Sequence, residues 1–566
     1  MESGNIAFRW TTVFFRELSA LGVGHAVISP GSRSTPLTLA VAANKKFEKH
    51  VILDERSAAF TALGIGKATG APAVLICTSG TAVANYFPAV IEARKSGVPL
   101  ILATADRPPN LRATGANQAI DQLKIFGDYP VFFHEVGEPN ESDTDLNRLK
   151  MLADQSVTAS REQSGPVHLN FPFRKPLEPS ADFLQKVMDE NDAIQNSNHR
   201  WEHQESLHLS DELQKIISSA QKPLIIIGPA APKNDLATVS ELAEKFHCPV
   251  LSESAIDSAN SIRGFTGFLR NDSLQAELEP DLILRFGFQS TSKALEFGLK
   301  NWKPKHHFHF VSTPDWHDTT FTHANRIPWL GRPVAWGEIK PVAEKTWLEK
   351  WKKTEQDFQA YYEKLIADEA TLTDGSVYHH LTPQIPVSHF LAVSNSFPAR
   401  DIQLFGRQKS QIPLFLNRGA SGIDGLTSTA IGLSLGLQKP GLLFTGDLAF
   451  LHDTNALLNR ELLEQPLVVI VINNSGGSIF RMLPVEQHEQ FFKPYFETPQ
   501  SVDVEKLVDS YQIPYQKIDN LQALNNFDLQ NWMNRSPGLS VVECKTDADA
   551  SMKLRKSFGV FSDEIY

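Results

Sequence analysis

Short apolar runs alternate with helical patterns along nearly the whole chain, and this alternation constrains the fold more than any other feature. The first set is "HAVIS" (25–29), "KHVILDE" (49–55), "APAVLICTSG" (71–80), "VPLILATADRPP" (98–109) and "GPVHLNFP" (165–172). A second comprises "KPLIIIGPA", "CPVLSE", "PDLILRFG" and "HHFHFVS", and a third "PVSHFLAVSNS", "PGLLFTGDLAF", "PLVVIVINNSGG" and "GLSVVEC". Parallel strands need a crossover between them, and a helix is the usual one, so strand–helix alternation implies α/β layers. We expect three domains, each a mainly parallel sheet with helices on both faces, at residues 1–180, 200–345 and 375–566. A polar stretch, "DENDAIQNSNHRWEHQES", reads as a surface connector between the first two domains. Residues 341–372, with helical spacing and charge pairs, read as a bridge to the third.

A chain of 566 residues is too long for one ordinary core, and 42% apolar residues suit a folded protein. Its formal net charge of −11 argues against nucleic acid or an anionic membrane as the main partner, so any positive site must be local. Cys77, Cys248 and Cys544 lie far apart, without a CxxC pair, which suggests neither a disulfide framework nor a structural zinc site. A reducing, cytoplasmic setting is expected. Charged residues interrupt the apolar pattern of the N-terminus, and no segment approaches the roughly 18 apolar residues of a membrane span.

Two segments carry most of the chemical information. Asp447 ends one apolar strand and Asn474 ends the next, 27 residues later (474 − 447), room for one helix and one strand. Both should reach the carboxyl edge of the sheet, where open α/β folds bind ligands. A carboxylate, an amide oxygen and a loop carbonyl, that of Gly476, are hard donors suited to Mg²⁺ against a diphosphate. Singly, each has an ordinary alternative as a turn residue or cap. The acidic pair in "VILDERSAAF", Asp54 and Glu55, likewise suits a helix start, where carboxylates meet free N–H groups.

Together, Asp447 and "NNSGG" resemble the GD…NN cofactor motif of thiamine diphosphate enzymes. Most of that superfamily has glycine after the aspartate, whereas this chain has Leu448, which narrows the choice toward one branch. "SPGSRSTPL" (29–37), "DERSAAF" (54–60), "TSGTA" (78–82), "TADRPP" (104–109), "NRGASGIDG" (417–425), "GDLAFLHD" (446–453) and "NNSGGSIF" (473–480) are similar to the motifs of the SEPHCHC synthase family of menaquinone biosynthesis. The resemblance implies pyrimidine-binding, central and diphosphate-binding domains, with thiamine diphosphate and Mg²⁺, or Mn²⁺, held in a homo-oligomer whose subunits share active sites. It implies decarboxylation of 2-oxoglutarate and 1,4-addition of the four-carbon unit to isochorismate.

Residue by residue, the resemblance makes Glu55 the carboxyl group that meets N1′ of the aminopyrimidine and favours the imino tautomer. It puts Ser79, Gly80, Ile423, Gly446, Asp447, Leu448, Asn474 and Ile479 at the cofactor. Ile423 would prop the cofactor in a bent form that brings N4′ near C2, making proton removal effectively intramolecular. Both substrates are dicarboxylates, which favours arginine forks. Arg33, Arg107, Lys293, Arg400 and Arg418 would surround them, with Ser32, Gln118 and Ser396 as polar partners. Ile479, Phe480 and Leu483 would form an apolar wall over the acceptor, and a plain core role is the competing view of these three and of Ile423.

Weaker signals point to structure. "GIGKATG" (64–70) lacks the P-loop pattern and reads as small residues for close helix packing. His306–His307 and His379–His380 read as solvated or hydrogen-bonded histidines. An acetolactate-synthase-like decarboxylase and a non-catalytic cofactor-binding protein remain the rival readings.

Overall fold

The protein is described by a computed structural model. It describes residues 2–193, 206–229, 233–311, 313, 315–329, 333–337, 339, 342–534, 537–558 and 561. Most of the polar connector, residues 194–205, therefore lies outside the described residues.

Three parallel sheets form the framework. The first has β1 (His25–Ile28), β2 (Glu48–Val51), β3 (Ala73–Cys77), β4 (Leu100–Asp106), β5 (Phe132–Glu135) and β6 (Pro166–Pro172), in the order β2-β1-β3-β4-β6-β5. A short strand, β7 (Leu207–His208), precedes the second sheet, which has β8 (Pro223–Ile227), β9 (Val250–Ser252), β10 (Leu282–Phe286), β11 (His306–Val311) and β12 (Asn325–Pro328), ordered β12-β11-β10-β8-β9. β13 (Val334–Ala335) pairs with β7. The third contains β14 (Phe390–Val393), β15 (Leu414–Leu416), β16 (Gly441–Gly446), β17 (Pro466–Asn473), β18 (Tyr515–Ile518) and β19 (Gly538–Lys545), ordered β15-β14-β16-β17-β19-β18. The chain is thus α/β, with the three mainly parallel sheets the alternation of strands and helices led us to expect. β3, β4 and β6 are buried along their whole length, as strands in a sheet covered on both faces are, and the polar Thr104 on β4 hydrogen-bonds His168 and Asn170 on β6.

The residues divide into two compact units. One comprises 1–203, 417–438 and 452–464, and the other 204–416, 439–451 and 465–566. In the first unit, helix Glu55–Thr69 packs along helix Leu426–Leu437 at backbone contact distance. A Cβ on Gly64 would lie 2.2 Å from the Thr429 carbonyl oxygen, and one on Gly432 would lie 2.0 Å from that of Thr61. Of the glycines in "GIGKATG", Gly64 therefore serves helix packing, Gly66 lies against the Pro99 carbonyl, and Gly70 is the left-handed C-cap of the helix. In the second unit, helix Lys345–Ala367 does bridge: Trp347, Trp351 and Phe358 join the face of the second sheet bearing Leu224 and Ile226 to that of the third bearing Leu442 and Phe444, in one core.

One reading requires correction. His307 is not solvated: it is 8% exposed, its Nε2 has no hydrogen-bond partner, and burial lowers its pKa to about 4. His379, half-buried, shares a hydrogen bond with the Tyr362 hydroxyl at 3.0 Å.

Candidate active site

In both six-stranded sheets the strand order reverses beside the first strand, and crevices for ligands open at such switch points, beyond the carboxyl ends of the strands. In the first unit the turns after β1, β3 and β4 converge there. The Arg33 N–H donates to Thr78 Oγ1 at 3.3 Å, and its Nη1 to the Phe173 carbonyl at 2.7 Å. Arg107 Nη1 donates to Ser79 Oγ at 2.6 Å and Nη2 to the Asn117 carbonyl at 2.8 Å. Ser79 Oγ in turn donates to the Gln118 carbonyl, and Gln118 Nε2 returns a bond to the Ser79 carbonyl at 3.1 Å. The Gly80 N–H is held by Gln122 Oε1 at 2.9 Å. Arg33, Ser79, Gly80, Arg107 and Gln118 thus form one cluster, with Ser32 exposed beside it.

The cluster is electropositive. Burial first, and then the neighbouring Arg107, lower the Arg33 pKa, while Asp106 opposes them. Arg33 is 5% exposed and its Nε has no partner, so an anionic ligand would relieve both the mutual repulsion and the unmade bond.

Asp54 is the N-cap of helix Glu55–Thr69, accepting from the Arg56 and Ser57 N–H groups, and Glu55 is the half-buried first residue. The capping and catalytic readings of the acidic pair thus fall on different residues. The loop bearing Arg418 and Ile423 is clamped by Glu92, whose two oxygens accept from the N–H groups of Gly419 at 3.0 Å and Ala420 at 2.7 Å. Lys67, 3.6 Å from Glu92, donates to Asn417 Oδ1 at 2.7 Å. Ile423 is 38% exposed and so is not a core residue.

The second unit carries the oxygen donors. β16 ends at Gly446, and Asp447 opens the following helix with 7% exposure. Its Oδ1 accepts from the Leu448 N–H at 2.9 Å and its Oδ2 from the Gly476 N–H at 2.7 Å. Asn474 Oδ1 accepts from Ser478 Oγ at 3.1 Å, and its Nδ2 donates to Asp374 at 3.1 Å. Gly476 has φ +127°, and a Cβ there would lie 2.3 Å from the Glu497 carbonyl, so only glycine fits the turn that brings its backbone to Asp447. Burial, with Asp374 adding to it, raises the Asp447 pKa to about 6 against the pull of its two N–H donors. A buried carboxylate held on the loop that also carries the Asn474 amide oxygen and the Gly476 carbonyl is a donor set suited to a hard divalent cation, which would repay the desolvation.

Sequence reasoning missed the bracing behind this site. Arg555 bridges Asp374 and Asp401, connecting Asn474 to helix Phe397–Leu404, which carries Arg400. Arg400 Nη1 donates to the Ser396 carbonyl at 2.7 Å, and Ser396 holds φ +73°, a strained value outside glycine. A cavity of about 430 Å³ is lined by Lys293, Arg400 and Leu483, together with Arg270, Arg481 and Arg555. These three arginines stand in ordinary helical or loop context, so no local motif marks them. Phe480 and Leu483 are 37% and 49% exposed and Ile479 is half-buried, which rules out a plain core role for the wall.

Residues 8–125 match the family model of the N-terminal TPP binding domain of thiamine pyrophosphate enzymes, and residues 408–544 match that of the C-terminal TPP binding domain. Over 560 residues the chain is 35% identical to a 2-succinyl-5-enolpyruvyl-6-hydroxy-3-cyclohexene-1-carboxylate synthase of Bacillus velezensis, covering 96% of this chain and 95% of the relative. Relatives of the same name in Haloarcula marismortui (35% identity, 98% of each chain) and Chlorobaculum tepidum (35%, 100% of this chain and 99% of the relative) match over comparable spans. With its two cofactor-binding domains and full-length similarity to these enzymes, the chain belongs to the SEPHCHC synthase family of thiamine diphosphate enzymes.

Proposed function

We propose that this chain decarboxylates 2-oxoglutarate and transfers the four-carbon unit to isochorismate, giving SEPHCHC, with Mg²⁺ or Mn²⁺ beside thiamine diphosphate. Beyond family membership, the observation that supports this reading best is the buried Asp447 carboxylate docked on Gly476 beside Asn474. These three residues would hold the metal and, through it, a diphosphate. The cofactor supplies an electron sink for the decarboxylation and a nucleophilic carbon for the addition. Glu55 would offer its carboxyl group to the aminopyrimidine as the acid that favours the imino tautomer, and Ile423 would pack against the cofactor. Ser79, Gly80, Gly446, Leu448 and Ile479 shape the rest of the cofactor's surroundings.

Arg33 and Arg107, with Ser32 and Gln118, bind and orient substrate carboxylates, and Arg418 serves the same chemistry. Lys293, Arg400 and Ser396 bind the second dicarboxylate in or beside the 430 Å³ cavity, a volume ordinary for a small-molecule site. Phe480 and Leu483 exclude water from the acceptor. Domains 1–180, 200–345 and 375–566 divide this work, and a homo-oligomer is the working form. Three buried free cysteines suit a reducing cytoplasm. Among the described residues no helix is long and apolar enough to cross a membrane.

The test is an assay with thiamine diphosphate, Mg²⁺, 2-oxoglutarate and isochorismate, following isochorismate loss and CO₂ release together. Coupled consumption is expected. Release of CO₂ without isochorismate loss would reduce the activity to a decarboxylase, and silence on both with cofactor bound would overturn the catalytic reading.

A further inference from the structure

At the amino ends of β1 and β2, on the edge of the first sheet opposite the ligand-binding turns, stand His25, Glu48 and His50. β1 and β2 run parallel with His25 opposite Glu48 and Val27 opposite His50, so all three side chains project from one face. The His25 Nδ1 lies 3.3 Å from His50 Nε2 and 3.6 Å from Glu48 Oε2, and the three ligand atoms all fall within 4.8 Å of one another. The two rings are near parallel, 16° apart.

One hydrogen bond joins the two rings and leaves Glu48 Oε2 outside it. His25 Nδ1 faces a ring nitrogen and a carboxylate oxygen at once, and one hydrogen serves one of them. The 3.6 Å contact is beyond hydrogen-bond length in any case. Two ligands about 2.0–2.1 Å from a tetrahedral ion lie roughly 3.3–3.4 Å apart, close to the two separations measured from His25 Nδ1.

We propose that His25, Glu48 and His50 form a binding site for one divalent transition-metal ion of the zinc class. Two imidazoles and a carboxylate select such an ion over Mg²⁺, which prefers oxygen donors. Burial holds His50 near a pKa of about 4 and lowers that of His25, leaving both rings neutral with lone pairs to offer. The other oxygen of Glu48 accepts from Gln438 Nε2 at 3.3 Å, which orients Oε2 toward the histidines. His25 and His50 are 16% and 6% exposed, whereas Glu48 is 53% exposed, so the fourth position opens toward water. The ion would tie edge strand β2 to β1.

Tag-free protein saturated with thiamine diphosphate and Mg²⁺ is titrated with Co²⁺ and then Zn²⁺. The expected result is one Co²⁺ per chain with the intense visible bands of a tetrahedral site, displaced by one Zn²⁺, and a rise in melting temperature on Zn²⁺ addition. H25Q and E48Q should each weaken Zn²⁺ uptake at least tenfold and remove the melting shift. E48Q changes an exposed side chain, so it keeps the test valid if a histidine variant misfolds. Absence of tetrahedral bands, or uptake unchanged in E48Q, overturns the site.

Discussion

The first and third sheets have the same strand order: counted from its own first strand, each runs 2-1-3-4-6-5. In each, the turn after the third strand touches the turn after the fourth. In the first sheet the contact is Ser79 with Arg107, and in the third it is Asp447 with Gly476. The same topology therefore delivers the same two turns to the same edge, and the side chains decide the sign of the ligand. At the first edge burial, and after it the neighbouring Arg107, pulls Arg33 below its ordinary pKa, and at the third burial raises a carboxylate's pKa to about 6. The first edge thus suits anionic groups and the third a cation, which is the division of work proposed above.

The sharpest way to break this division is to neutralise the acid of the first unit. Glu55→Gln keeps size and loses the acid, so turnover should fall about 10²–10⁴-fold. Thiamine diphosphate affinity, measured by calorimetry, should stay within a few-fold, and near-normal turnover would remove Glu55 from the chemistry. Asp447→Ala acts on the other edge: Mg²⁺-dependent retention of the cofactor through gel filtration should be lost, and unchanged retention would place the metal elsewhere. Arg107→Ala should raise the KM of a dicarboxylate substrate roughly 10–100-fold, the equivalent of about 1.5–3 kcal/mol for one charge-assisted hydrogen bond. Arg107→Lys should not restore it, because lysine cannot reach both Ser79 and Asn117 as a fork does.

Much of this was legible because strand ends fall at abrupt changes of polarity. "LLFTGD" and "VVIVINN" mark their own termini, so Asp447 and Asn474 could be placed on one edge before any coordinates. β5, β15 and β18, with "FFHE", "LFL" and "YQKI", could not be read as strands, since each is short, and β5 and β18 carry polar residues. Glu92 was invisible for another reason: in "IEARKSG" it looks like a surface helix carboxylate, and only the fold brings residues 419 and 420 onto it. The Asp374–Arg555–Asp401 brace likewise joins segments up to 181 residues apart. His307 misled because histidine next to histidine looks polar, while β11 lies between β12 and β10 and is buried on both faces from His307 onward.

Glu92 offers a subtler test of the first unit. Glu92→Gln retains one oxygen for the loop N–H groups and removes the charge facing buried Lys67. The loop bearing Arg418 should loosen, raising substrate KM several-fold while kcat changes less. A matched fall in both, or neither, would deny Glu92 a positioning role. The conservative Glu92→Asp, too short to reach both amides, should not rescue it.

The last test reads stability and leaves activity aside. Asp453 is fully buried and accepts from the Ser428 N–H at 2.7 Å and Ser428 Oγ at 3.0 Å, capping helix Leu426–Leu437 where it packs on helix Glu55–Thr69. Burial raises its pKa from 3.8 to about 7, with the Ser428 bonds and Arg56 pulling the other way. Below pH 3.8 the carboxyl is protonated in both folded and unfolded chains. Between 3.8 and about 7 the folded chain keeps a proton that the unfolded chain has released, so stability falls as pH rises. Above that range both forms are ionised and the loss is complete, at most roughly 4 kcal/mol for about three units at 1.36 kcal/mol each. Asp453→Asn keeps an oxygen for the Ser428 N–H and cannot ionise. Its first unfolding transition should therefore hold its midpoint between pH 5 and 8 where the native protein's falls, and parallel curves for the two would show that this carboxyl group does not set the pH dependence.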